Sequence, residues 1–69
     1  MKELYIVDYV ENDGTVEQYG HATFDIEQAK SLFKEAVHAC NLDDFYKEDS
    51  IAVENDDNES VRLRTILVS

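Results

Sequence analysis

Asp25-Ile26-Glu27-Gln28-Ala29-Lys30-Ser31-Leu32-Phe33-Lys34-Glu35-Ala36-Val37-His38-Ala39-Cys40 is the stretch on which the fold turns. Ile26, Ala29, Phe33, Ala36, Val37 and Cys40 recur at steps of three and four, the spacing that gathers apolar side chains on one face of a helix. Asp25 suits the N-cap, Gln28 stands three residues later as in a capping box, and Glu27 complements the positive end of the helix dipole. Asn41 supplies a stop. The expected helix covers about 25–40.

On the N-terminal side the period is two. Leu4-Tyr5-Ile6-Val7-Asp8-Tyr9-Val10 is rich in β-branched and aromatic residues, and Thr15–Tyr19 resumes the alternation after Glu11-Asn12-Asp13-Gly14, whose glycine fits the left-handed position closing a turn. Pairing Glu11 with Thr15 sets Val10 opposite Val16, Tyr9 opposite Glu17 and Val7 opposite Tyr19. One face then carries Leu4, Ile6, Val10 and Val16, the other Tyr5, Val7, Tyr9 and Tyr19. On the C-terminal side Ser50–Glu54 reads as a short strand with Ile51 and Val53 on one face. Asn55-Asp56-Asp57-Asn58 reads as a turn, and Val61–Val68 as the last strand. Leu42–Asp49 is left open between a loop and one further helical turn. The order β-β-α-β-β predicts an α+β fold: a four-stranded, mostly antiparallel sheet with the helix on one face, in a single domain spanning 1–69.

Sixteen acidic against six basic side chains leave 69 residues at −10. With a sequence pI near 4.3, such a surface repels phosphate backbones and anionic lipid, so neither direct nucleic-acid binding nor membrane binding is expected. A chain this short removes only ~60% of its unfolded surface on folding, which disfavours a deep catalytic cleft. A single cysteine forms no internal disulfide, no apolar leader follows Met1-Lys2-Glu3, and the expected compartment is the cytoplasm.

The charge is uneven. Residues 43–59 hold Asp43, Asp44, Glu48, Asp49, Glu54, Asp56, Asp57 and Glu59 against Lys47 alone, net −7, whereas residues 1–42 carry −5 and the last ten residues +2 through Arg62 and Arg64. A solvated loop that keeps a small protein dissolved accounts for part of this. The total nevertheless exceeds the magnitude of about 2 to 8 that solubility asks of a small domain, and self-repulsion makes the excess costly. Carboxylates on strands at ~6.5–7 Å or four apart on a helix at ~6 Å have the spacing to engage arginines and lysines built for a phosphate backbone. These eight residues are therefore the candidate partner-binding set, and the expected partner is a basic, nucleic-acid-binding protein.

In its small size, single domain, extreme acidity and sheet-plus-helix pattern the chain resembles the small acidic inhibitors encoded by phages, the anti-CRISPR and anti-restriction proteins. The resemblance spans the whole chain in composition and rests on no residue motif, so it transfers no site. It implies inhibition of a nucleic-acid-binding complex by a DNA- or RNA-mimicking carboxylate surface.

No pattern points to catalysis, a metal or a cofactor, and none is expected. His38 and Cys40 fall on opposite faces of the helix, and a structural zinc site needs four ligands. A calcium loop beginning at Asp56 would need Gly where Val61 stands and a closing Glu where Leu67 stands. Cys40 lacks an evident base, Asp43-Asp44 lacks a pocket, and Gly14 and Gly20 form no phosphate loop. A second reading, from another class, is a structural or regulatory homodimer. Its interface would be the sheet face bearing Tyr5, Tyr9 and Tyr19, with the acidity serving solubility alone.

Overall fold

The computed structural model describes all residues, Met1–Ser69. β1 (Lys2–Val10) and β2 (Val16–Thr23) form a hairpin, α1 (Ile26–Ala39) follows, a 3₁₀ turn occupies Asp43–Phe45, and β3 (Ala52–Glu54) and β4 (Ser60–Val68) form a second hairpin. The four strands lie in the order β2-β1-β4-β3, every neighbouring pair antiparallel. The two hairpins thus join along β1 and β4, which pair from Lys2 opposite Val68 to Val10 opposite Ser60. The α+β fold read from the sequence is the fold of the protein.

The first hairpin keeps the expected register, with Val10 opposite Val16, Tyr9 opposite Glu17 and Val7 opposite Tyr19. Gly14, at φ 91, takes the left-handed position that closes the turn. Beyond Tyr19 the pairing slips, and Tyr5 faces Thr23 across a bulge. Gly20 sits in it at φ 73, and a Cβ there would lie 2.7 Å from a methyl of Leu32. The positive φ is what calls for glycine here, since the Leu32 methyl could swing aside.

At the start of α1 the Asp25 carboxylate accepts from the Glu27 amide at 2.9 Å. Gln28 reaches past the cap to accept from the Thr23 hydroxyl at 2.9 Å, which ties the helix start to the end of β2. At the other end the Asn41 amide donates to the His38 carbonyl and the Leu42 amide to the Val37 carbonyl. With Asn41 at φ 59, this is the double closure of a Schellman cap. It turns Leu42 inward, where it is fully buried beside Val7, Phe33, Ala36, Val37, Val53 and Val61.

The helix lies on the sheet face that carries Val7, Val53, Val61 and Leu63, and this is also the tyrosine face: Tyr9 and Tyr19 pack against the core. The expectation of an open tyrosine face is corrected here. Its opposite carries Asp8, Arg62 and Arg64, charges that are costly to seal under an apolar helix, so the helix covers the face without them. Tyr5 lies on the covered side, half-buried, and its hydroxyl donates to Glu3 at 2.6 Å.

The open segment 42–49 resolves into the 3₁₀ turn Asp43–Phe45. The third strand begins at Ala52 rather than Ser50. Asp49 takes φ 64 ahead of this strand, and of the two apolar residues expected on one face Val53 is buried while Ile51 is 66% exposed. The Ile51 carbonyl still accepts from the Leu63 amide at 2.7 Å.

Candidate functional site

The strand order decides where the acids meet. Val16, Val10, Ser60 and Glu54 stand in one row across the sheet, so both hairpin turns project from the same end. The C-terminus of α1 reaches that end too, because Tyr9, Cys40, Asn41 and Phe45 share a surface depression with Asn55, Asp56, Asp57 and Glu59. Three stretches far apart in sequence, 10–17, 39–46 and 54–60, therefore build one pole. Together they hold nine carboxylates, Glu11, Asp13, Glu17, Asp43, Asp44, Glu54, Asp56, Asp57 and Glu59, and no lysine or arginine. The negative end of the α1 dipole lies at the same pole.

Much of this pole is held in place by hydrogen bonds. Asn55 accepts through Oδ1 from the amides of Asp57 at 2.9 Å and Glu59 at 3.0 Å. Its Nδ2 donates to one Glu59 oxygen at 3.0 Å, and the Tyr9 hydroxyl donates to the other at 2.8 Å. A side chain in the middle of the sheet thus fixes the carboxylate of the far hairpin. In the first hairpin, Asp13 accepts from the Thr15 amide at 2.9 Å. Past the helix, Asp43 stands 3.2 Å from His38 Nδ1. Phe45 is 41% exposed and gives the depression an aromatic wall among the acids.

Protonation follows the geometry. The Asn55 amide, then the Tyr9 hydroxyl, hold the Glu59 carboxyl below its ordinary value. The Tyr9 phenol, facing the Glu59 carboxylate, is pushed up to about 12. The Thr15 amide lowers Asp13, and burial raises the Cys40 thiol, which leaves it a poor nucleophile at neutral pH. For Glu59, whose folded value is depressed, the stabilisation is present above the unfolded carboxyl range and is lost as pH falls through the folded value. For Tyr9, whose folded value is raised, it is present below the unfolded phenol value and is lost as pH rises through about 12. Absorbance titration should accordingly find a phenol ionising near 12, returned toward ~10 by Glu59→Gln. Ionisation of Tyr9 at ~10 in the unaltered protein would contradict the Tyr9–Glu59 bond.

Of the eight acids expected to act together, the structure gathers Asp43, Asp44, Glu54, Asp56, Asp57 and Glu59 at the pole. Glu48 and Asp49 fall elsewhere. They line a groove of about 420 Å³ beside the first half of α1, where Lys30 and Lys34 face them across Phe33, Tyr46 and Leu63. Sequence reading missed Glu11, Asp13 and Glu17. They look like ordinary hairpin residues until β1 pairs with β4 and sets the two turns side by side.

Comparison of the chain with protein-family models, with curated proteins and with solved structures returned no match. No helix is long and apolar enough to cross a membrane. No three His, Cys, Asp or Glu side chains are grouped as a metal site.

Proposed function

We propose that the protein is a binding module whose acidic pole docks on a basic, nucleic-acid-binding protein and blocks it as a nucleic-acid mimic, without catalysis. One observation carries this reading: the three stretches that meet at one end of the fold hold nine carboxylates and no lysine or arginine. Ordered carboxylates are better placed than a mobile acidic tail to engage arginines arranged for phosphates, because less conformational freedom is lost on binding. Phe45 supplies an apolar anchor inside the acidic rim, the usual composition of an interface centre. The resemblance to phage-encoded anti-CRISPR and anti-restriction inhibitors belongs to the same reading.

The test is capture from bacterial lysate on the immobilised protein at low salt, followed by competition. The retained protein should be a nucleic-acid-binding one, and duplex DNA or RNA should displace it. A partner that binds its nucleic acid and this protein simultaneously, without competition, would overturn mimicry.

A further inference from the structure

The two edges of the sheet differ. On β2 the register slips at the Gly20 bulge, and the Gln18 side chain donates to the Gly20 carbonyl at 3.1 Å. Both features break the row of backbone groups with which another chain would pair. At the opposite edge β3 is only Ala52–Glu54 and covers β4 no further than Arg62. One more bond, from the Leu63 amide to the Ile51 carbonyl, ends that ladder. β4 runs on to Val68 without a bulge, paired on its β1 side alone. Backbone groups alternate in direction along a strand, so those of Thr65 and Leu67 point away from β1, as the Leu63 amide does, and bond to nothing in the chain.

We propose that this open edge takes up an extended segment of another protein, antiparallel to β4 as β3 is, in which apolar and acidic side chains alternate. A regular row of donors and acceptors over the ~13 Å from Leu63 to Leu67 is matched by a strand. Thr65 and Leu67 share a face with Leu63, the helix side. Every second residue of the incoming segment therefore faces the groove where Ile26, Phe33, Ile51 and Leu63 offer apolar surface. The intervening residues emerge on the other face, beside Arg64 and Ile66. There Asp8 lies 2.7 Å from the Arg64 Nε and 3.7 Å from the Arg62 Nε. One carboxylate between two arginines, with Lys2 further along the same face, leaves an excess of positive charge, and the Arg64 side chain is still 45% exposed. Charge thereby selects the occupant. An acidic segment is attracted, whereas a basic one, or the β4 edge of a second copy with its own Arg64, brings like charge to this face. Thr65 and Leu67 lie at the end of β4 away from Ser60 and the acidic pole, so occupancy here does not rest on the proposed function.

The probe is the end-capped peptide Ser-Glu-Val-Glu-Val-Glu-Ser, added to isotope-labelled protein up to about 1 mM, which reveals micromolar binding by NMR. The Thr65 and Leu67 amide resonances should shift and their exchange with solvent should slow, while those of Val16 and Gln18 on β2 stay unchanged. Leu67→Pro removes one outward N–H at a position an edge strand tolerates. It should weaken binding about tenfold, with the fold verified by circular dichroism. The peptide N-methylated at both valines tests the same bonds on the unaltered protein and should not bind. Lysines in place of its glutamates should weaken binding about tenfold or more. Unchanged Thr65 and Leu67 amides at the highest peptide concentration would overturn the proposal, as would equal binding of the glutamate and lysine peptides. So would protection of these amides that rises with protein concentration alone, the sign of a second copy on the edge.

Discussion

Asp56→Lys combined with Asp57→Lys should lower affinity for the captured basic partner by about 100-fold, with the fold unchanged. Both side chains are exposed in the β3–β4 turn. The bonds that shape this turn come from Asn55, Glu59, Tyr9 and the backbone amide of Asp57, so reversing the two charges leaves the turn intact. Glu48→Lys with Asp49→Lys changes the net charge equally but acts at the separate groove beside Lys30 and Lys34. That control should cost about threefold or less, since only long-range attraction is lost. Titration calorimetry of both pairs separates a located surface from bulk acidity. Equal losses from the two pairs would mean that net charge alone drives association.

The second large effect is on stability and comes from Leu42. It is fully buried, and it closes the helix cap at its own amide. Leu42→Ala should cost about 2 to 5 kcal/mol, the combined loss of burial and the cavity left behind. A domain of this length has on the order of 3 to 10 kcal/mol in total, so thermal unfolding should drop by about 10 °C or more. Because the segment carrying Asp43 and Asp44 starts at Leu42, amide exchange should also quicken through 43–46. A melting temperature within ~2 °C of the parent would show that the Leu42 anchor contributes little.

The sequence exposed local order well and long-range placement poorly, and particular residues show why. The apolar spacing from Ile26 to Cys40 and the cap at Asp25 make α1 legible, because both signals lie within a few residues of one another. The β1–β2 register was legible for the same reason, since Gly14 fixes the turn and the alternation fixes the pairing. The covered face was the harder decision. Tyr5, Tyr9 and Tyr19 suggested an exposed aromatic surface, yet Arg62 and Arg64 alternate against Val61 and Leu63, and cross-strand pairing places them with Asp8. Charge on one face thus assigns the helix to the other. The acidic pole was half legible. Six of its nine carboxylates lie in one acidic stretch, whereas Glu11, Asp13 and Glu17 join through a β1–β4 pairing that spans most of the chain. Glu48 and Asp49 belong to the same stretch but line the groove beside α1 instead.

Mimicry and simple solubility part most clearly on ionic strength. The deciding measurement is the dissociation constant for the captured partner across a salt series from 50 to 300 mM, over which the screening length falls from ~14 to ~6 Å. Several carboxylates of the pole engaging arginines and lysines together predict a loss of about 100-fold or more, with the Asp56/Asp57 reversal flattening the slope. An affinity that holds constant across the series would contradict the acidic pole as the binding surface.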